Sequence, residues 1–223
     1  GGFSQLIRQA GPLNEMQLDF VQRIDAAATN MGELVENMMN LAKMDLQAES
    51  RREAVDISGL IWEIVDEFRP QAESKKQSLS LTETVSASVV HGDPLQLRQS
   101  FRNLIGNAIK YTPEAGTIVV SLEEADNSVT IQIRDTGYGI PATDLPHIFE
   151  RFYRVRNNGH DEIDGNGLGL AIVQSIIQQH QGQIHVESEP GKGTCFVTSL
   201  PRSCKAELQS KKLQNEESLE TAL

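Results

Sequence analysis

The sequence holds no apolar run near the roughly 20 residues that a bilayer-spanning helix requires, so no segment of it is predicted to cross a membrane. Cysteine is scarce. Of the two present, Cys195 falls inside a predicted strand and Cys204 just beyond it, a placement that offers neither a disulfide framework nor a metal-binding spacing and suits a reducing compartment. The expected location is therefore the cytoplasm. Positive charge is short as well, with 20 Lys and Arg against 31 Asp and Glu and a net charge of −11. That balance excludes a nucleic-acid surface, which needs clustered Lys and Arg. It does not exclude a small anion, for which backbone amides and one or two local cations suffice. The GGFSQLIRQA start also lacks an initiator Met, a basic leader and a cleavage site. The chain is thus expected to be a piece of something longer, with any sensory or membrane-bound part upstream.

What is present is the composition of a globular protein: 39% hydrophobic and 23% charged residues over 223 positions, enough for one full core and a smaller appended unit. Proline is absent from Leu13 to about Leu46. Within that stretch Phe20, Ile24, Ala27, Met31, Leu34, Met38 and Leu41 recur in alternating steps of four and three, a heptad seam that asks for partner helices. Phe3, Leu6 and Ile7 read as the end of an earlier helix, and Gly11-Pro12 as the break between the two. Residues 1–48 are therefore expected to form a partial α-helical hairpin, its first arm cut short, that makes a homodimer. A single amphipathic helix lying on the following domain is the simpler alternative.

After the polar connector AESRRE the texture changes, which places a boundary near residue 49. Strands are predicted over Glu53–Ile57, Ser78–Thr82 and Ser88–His91, with a helix from Leu60 to about Lys75 burying Leu60, Ile61, Ile64, Val65 and Phe68. Asp93-Pro94 opens another helix with Leu95, Leu97, Phe101, Leu104, Ile105 and Ala108 available for the core. Two hairpins follow, Thr117–Glu123 with Val129–Arg134 and Gln183–Glu187 with Gly193–Leu200. Between them lie a long Gly-, Asn- and Asp-rich loop over residues 137–167 and a helix from Leu168 to His180. The fold class expected for residues 49–202 is an α/β (α+β) two-layer sandwich, a mixed sheet with helices on one face. Residues 203–223 read as a tail without catalytic signal.

Four segments carry the chemistry: NLIGNAIKYTP from Asn103, DTGYGIP from Asp135, FERFYR from Phe149 and GNGLGLAIV from Gly165, followed by GKGTCF from Gly191. In this order and spacing they resemble the histidine-kinase branch of the superfamily that also holds DNA gyrase, the Hsp-type chaperone ATPases and the mismatch-repair ATPases. They correspond to its N box, first glycine box, F box, second glycine box and final glycine-threonine element. The resemblance covers about residues 50–201, and the hairpin before it resembles the family's dimerisation helices. Each box alone is unspecific; all five in order are not.

Each box also has a physical reading of its own. Asn103 and Asn107, four apart, share one helix face. An amide oxygen is a hard ligand acceptable to Mg²⁺, which would keep its other positions for phosphate oxygens and water; the resemblance assigns that role to Asn107. Lys110 lies near the same face and can meet a phosphate as a point charge, while Tyr111 can offer its ring to a base. Taken alone, such an Asn pair would be ordinary helix polarity. Asp135 ends a strand before Gly137 and Gly139. Its carboxylate only accepts hydrogen bonds, so it can receive the amino group of adenine but not face the carbonyl of guanine. The resemblance makes it the adenine reader, helped by Thr194 directly or through water. Gly165, Gly167 and Gly169 open a helix whose unpaired amides suit a polyphosphate, and GNGLGL matches neither the P-loop nor the dinucleotide fingerprint. Ile140 and Leu168 belong to the same boxes and complete the nucleotide-contacting positions that the resemblance implies. Residues 137–167 are expected to act as a lid anchored by Phe149, Phe152 and Tyr153, with Arg151, Arg154 and Arg156 facing phosphate, a partner or solvent.

ATPases of the superfamily carry a glutamate where this chain has Asn103. An amide cannot take a proton from water, which favours phosphoryl transfer to a ready nucleophile over hydrolysis. Asn103, Asn107 and Lys110 are therefore the candidate catalytic residues, Asn107 the candidate metal ligand, and ATP and Mg²⁺ the expected cofactors. The family's nucleophile is a histidine on the first dimerisation helix. The five histidines here, His91, His147, His160, His180 and His185, all follow the hairpin, so the acceptor and its phosphatase-related neighbours are expected to lie upstream. His180, near a helix end, is expected to be a dipole partner. The resemblance implies relay from the phosphohistidine to the receiver domain of a response regulator. A nucleotide-binding regulatory module without transfer and a hydrolytic ATPase are the competing readings.

Overall fold

The computed structural model describes residues 6–7, 11–25, 28, 31–32, 52–83, 88–125, 127–155 and 165–202. Upstream, Asn14 and Gln17 form a reciprocal capping box, each side chain accepting from the other's backbone N–H at 2.9–3.0 Å. It opens the helical residues 15–25 just after the predicted Gly11-Pro12 break. Phe20, Ile24 and Met31 of the heptad seam are more than half exposed in the single chain, while Ala27, Leu34, Met38 and Leu41 lie outside the described residues.

The α/β part of the chain begins with β1 (Glu53–Asp56) and α1 (Ile57–Ser74), followed by β2 (Ser78–Glu83), β3 (Val89–Gly92) and α2 (Pro94–Tyr111). It continues through β4 (Thr117–Glu124), β5 (Ser128–Asp135), α3 (Gly169–Gln179), β6 (Gln183–Glu189) and β7 (Gly193–Pro201). Five strands form a mixed sheet in the order β2-β4-β5-β7-β6, in which only the β2–β4 pair is parallel. The expected single sheet is refined by a second one: β1 and β3 pair antiparallel with each other. This small sheet is joined to the end of β7 by a bridge between Val90 and Arg202.

Alternation decides the faces. Ile118, Val120 and Leu122 of β4 and Val129, Ile131 and Ile133 of β5 are all fully buried, pointing one way by the two-residue strand period. The three helices cover that face with Ile57, Ile61 and Ile64 of α1, Leu97, Phe101, Leu104 and Ile105 of α2, and Ile172, Val173 and Ile176 of α3. Leu95 departs from expectation and is 77% exposed. Two positions along a helix subtend about 200°, so once Leu97 faces the core Leu95 cannot.

The ends of α2 are held tightly. Asp93 accepts from the N–H of Leu95 and Gln96 at its start, with Pro94 in the first turn. At its finish, Lys75 Nζ donates to the Ile109 carbonyl at 3.0 Å, and the buried Gln77 Nε2 to the Ile109 and Thr112 carbonyls at 3.0 and 2.6 Å. Carbonyls that a helix end leaves unpaired are thus satisfied from the α1–β2 turn.

Candidate functional site

The row of apolar residues along β5 ends in a carboxylate. Asp135 continues the Val129, Ile131, Ile133 alternation and is 6% exposed, on the helix side of the sheet at the end of its central strand. Its Oδ1 accepts from Gly137 N at 2.8 Å and from Thr194 N at 3.2 Å, while Oδ2 makes no hydrogen bond with any described residue. Burial pushes the Asp135 carboxyl above the usual carboxylate range, and the two backbone donors only partly oppose it.

Close approach explains the glycines around it. A Cβ on Gly137 would fall 2.5 Å from the Tyr111 carbonyl oxygen, and one on Gly139, at φ +70°, would fall 2.0 Å from the carbonyl of Glu189. The first glycine box is therefore wedged between the end of α2 and the β6–β7 turn. Tyr138 N donates to the Tyr111 carbonyl at 3.2 Å and Gly191 N to the Tyr138 carbonyl at 2.8 Å. Ile140 packs against the core, and its N–H donates to Ser188 Oγ at 2.8 Å.

On α2, Asn103, Asn107 and Lys110 are each half-buried. Asn103 Nδ2 reaches the Gly169 carbonyl at 3.4 Å, the start of α3. Asn107 makes no hydrogen bond with any described residue. Lys110 Nζ stands 5.3 Å from the Tyr111 ring centroid and would be 2.9 Å from a Cβ on Gly165. Burial raises the Tyr111 phenol above its usual range, and the Arg154 guanidinium partly opposes this, which puts Arg154 within electrostatic reach of the same corner. Among the described residues no side chain caps α3 at its start, so its first-turn amides are open to an anion from that side. One expected amide is taken internally: Leu168 N donates to Asn166 Oδ1 at 3.1 Å.

The structure thus sets Asn103, in the middle of α2, on Gly169 at the start of α3, and Gly165 against Lys110 and Tyr111 at the end of α2, with Asn107 between them on that helix. Asp135, Gly137, Gly139, Ile140 and Thr194 meet at the end of β5 and the start of β7. Gly167 takes φ +68° with its carbonyl accepting from Phe152 N at 2.8 Å, and Leu168 is fully buried as the residue before α3. The lid anchors need correction. Ile148 is buried and Phe149 packs on the core, but Phe152, at a positive φ of 67°, is 58% exposed. Tyr153 is held by its hydroxyl, which donates to Asp144 Oδ1 at 2.6 Å. Arg156 and His160 lie outside the described residues.

Sequence reasoning missed Ser188, Asn166, Lys75 and Gln77. A signal existed for Ser188, which continues the Ile184, Val186 alternation of β6 onto the core face directly opposite Thr194. His180 is also not the cationic dipole partner expected. Its Nε2 accepts from Asp93 N at 2.9 Å, which leaves the proton on Nδ1 to donate to the Ile176 carbonyl at 2.7 Å. Burial pushes the ring below its ordinary value.

This fold and site define a class of nucleotide-binding proteins, and residues 92–203 match the family described as histidine kinase-, DNA gyrase B- and HSP90-like ATPases. The chain belongs to that family. Relatives within it include sensor histidine kinases. The chain is 36% identical over 174 residues to the sensor histidine kinase CusS of Escherichia coli K12, covering 78% of this chain and 36% of that protein. It is 36% identical over 194 residues to the adaptive-response sensory kinase SasA of Thermosynechococcus vestitus, covering 85% and 50%. Full-length ShkA in complex with AMPPNP superposes with a TM-score of 0.74 at 28% identity, covering 91% of this chain and 42% of that one. The chain therefore carries a histidine-kinase ATP-binding domain and spans half or less of the length of these two curated relatives. Among the described residues no helix is long and apolar enough to cross a membrane.

Proposed function

We propose that this chain binds Mg-ATP in the corner between Asp135 and the Asn107 face of α2 and transfers the γ-phosphoryl group to a histidine on a dimerisation helix, for relay to a response-regulator aspartate. The observation that carries the reading is the convergence of two elements: the Tyr111 end of α2 is fastened to the Asp135–Gly139 turn, and Gly165 lies against the Lys110 ammonium. The base and polyphosphate ends are thereby joined through the adjacent residues Lys110 and Tyr111 at the end of α2.

The donor set fits such a guest. Asp135 Oδ2 accepts the adenine amino group, and Thr194 supports it from β7. Glycines at 137 and 165 leave a cradle that a Cβ would fill. The α3 first-turn amides and Lys110 bind phosphate oxygens. Asn107 offers an unengaged amide oxygen to Mg²⁺, whose contribution when bound is to neutralise charge on the transferring phosphoryl group. Among the described residues no group of three or more His, Cys, Asp and Glu side chains gathers, so phosphate and water would supply most of the cation's ligands. Asn103 cannot act as a base, which keeps water from competing with the histidine.

No described histidine serves as acceptor in this reading. His180 is buried with both ring nitrogens engaged, and His147 Nδ1 lies 2.7 Å from Glu150 Oε1. We assign residues 1–48 to the dimerisation hairpin, residues 49–202 to the catalytic domain and the dimer to the exposed Phe20, Ile24, Met31 seam. The whole protein would work at the cytoplasmic side.

The test is transfer in trans. The chain is incubated with γ-labelled ATP, Mg²⁺ and a separately made dimerisation hairpin bearing the acceptor histidine, and acid-labile phosphohistidine is located by mass spectrometry. Label on the added hairpin is the expected result. A chain that binds ATP and transfers nothing would be a regulatory module instead.

A further inference from the structure

We infer that Ser188 is a positioning residue that sets base selectivity: it takes the proton of the Thr194 hydroxyl, so that the corner around Asp135 presents only acceptors to a bound base. The inference rests on the reading of that corner as the adenine site and adds what enforces its preference.

Ser188 Oγ has three polar neighbours. Ile140 N–H donates to it at 2.8 Å, the Gly193 carbonyl lies 3.0 Å away, and Thr194 Oγ1 lies 2.8 Å away. A carbonyl can only accept, so the single Ser188 proton goes to Gly193. The remaining contact is then a hydrogen bond only if Thr194 donates. One proton assignment therefore satisfies all three contacts. The register supports it, because Ser188 and Thr194 are direct cross-strand partners on β6 and β7, a placement in which paired hydroxyls hold each other.

The consequence falls on the site. With its proton directed at Ser188, Thr194 Oγ1 has only lone pairs left for a base or a bridging water. Asp135 Oδ1 already accepts two backbone N–H groups, and Oδ2 is likewise acceptor-only. The Thr194 N–H on Asp135 Oδ1 makes the two residues neighbours, and a base position facing an acceptor from each would welcome an exocyclic amine and repel a carbonyl oxygen. A Thr194 hydroxyl released from Ser188 would rotate and donate to that carbonyl, and the distinction between adenine and guanine would weaken. Ser188 also fixes the Ile140 amide, so its loss should loosen the first glycine box for either nucleotide. The ratio of affinities separates these two effects.

The experiment is calorimetric titration of the chain with ADP and with GDP, diphosphates that avoid turnover. Ser188→Ala is expected to lower the ADP-over-GDP preference by about tenfold, and Ser188→Thr, which keeps the hydroxyl, to hold it within about twofold of the parent. Adding Ser188→Ala to Thr194→Val should change the ratio no further. An unchanged ratio in Ser188→Ala, including equal weakening of both nucleotides, overturns the inference and leaves Ser188 a purely structural residue. Should Ser188→Ala not fold, Ser188→Cys, similar in size but a poor acceptor, carries the same test: a fallen ratio supports the inference and a preserved one overturns it. A parent chain that binds neither diphosphate overturns the adenine reading beneath and this inference with it. A parent that prefers ADP while the variants keep its ratio overturns this inference alone.

Discussion

The two ends of the proposed site are built to different standards of completeness. At the base end, strands supply the frame. Asp135, Gly137, Thr194, Ser188 and Ile140 are tied to one another by hydrogen bonds of 2.8–3.2 Å. At the phosphate end, the start of α3 meets the middle of α2 across a 3.4 Å contact from Asn103 to Gly169, and Asn107 engages no described residue. Backbone placed on a sheet holds a fixed acceptor pattern before any ligand arrives, which suits recognition of a neutral base. Helix ends with open amides gain their partners only when an anion brings them. On the proposed reading, recognition is preformed and the polar groups for transfer await the nucleotide.

The largest break of this comparison should come from Asp135→Asn. The amide Oδ1 can keep both backbone donors, but an NH₂ group replaces the acceptor needed by the adenine amine. Nucleotide affinity is expected to fall about a hundredfold or more. Stability should move the other way. Because burial raises the Asp135 carboxyl, the group contributes stability below its ordinary value that is lost as the pH rises through the folded value; its ionised form thus costs the ligand-free domain stability near neutral pH. Thermal melts at pH 7 should therefore show Asp135→Asn at or above the parent Tm. A variant that lost both affinity and Tm would mean the carboxylate is structural.

Asn107→Ala tests the other end and should affect transfer more than binding. Phosphotransfer to an added hairpin is expected to fall about a hundredfold, while Mg²⁺-free ADP should bind within about threefold of the parent. Equal losses in both measurements would place Asn107 in general nucleotide binding and erase the distinction between the ends.

Gln77→Ala asks how rigidly α2 presents its phosphate end. Removing a buried amide that serves the Ile109 and Thr112 carbonyls should cost about 1–3 kcal/mol in urea unfolding. The Lys75 ammonium, still on the Ile109 carbonyl, should limit the effect on nucleotide binding. A loss within 0.5 kcal/mol, roughly the surface range, would show that this end needs no such support.

The base end was the more legible of the two in the sequence, for a physical reason. Strand alternation is short-ranged, so Val129, Ile131 and Ile133 predict the face of Asp135, and a glycine beside a buried acid signals close approach. The helices were legible from Asp93-Pro94 and from the apolar face of Leu97, Phe101 and Leu104. Leu95 was misplaced because apolarity was counted without its angle around the helix. Lys75 and Gln77 could not be foreseen, since their partners lie about 35 residues away and no local pattern announces a side chain that caps a distant helix. Ser188 was foreseeable only after β6 had been put in register with β7. His180 had a sequence signal of the wrong kind: proximity to a helix end suggested a cation, and packing against Gly92 decided for a neutral ring.

That ring supplies the smallest effect and ties the phosphate end to the rest of the domain. His180 closes α3, whose other end is Gly169, and accepts from the N–H of Asp93, which caps α2. Burial lowers its affinity for a proton, with the Arg52 and His91 charges adding to this and the Ile176 carbonyl and Asp93 opposing it. Below the ordinary value of 6.5 the unfolded chain takes up a proton that the native state refuses. The contribution is therefore fully present above that pH and is lost as the pH falls toward the depressed folded value, at no more than about 1.4 kcal/mol per pH unit. Protonation would also set two donors, Nε2–H and Asp93 N–H, against each other. Acidification from pH 7 to 5.5 should thus lower the Tm and speed hydrogen exchange at the start of α2 before it affects the strands around Asp135. His180→Gln, whose amide oxygen can accept from Asp93 without titrating, should flatten that pH dependence. An unaltered slope in the variant would move the acid sensitivity to other groups and leave the two ends of the site equally robust.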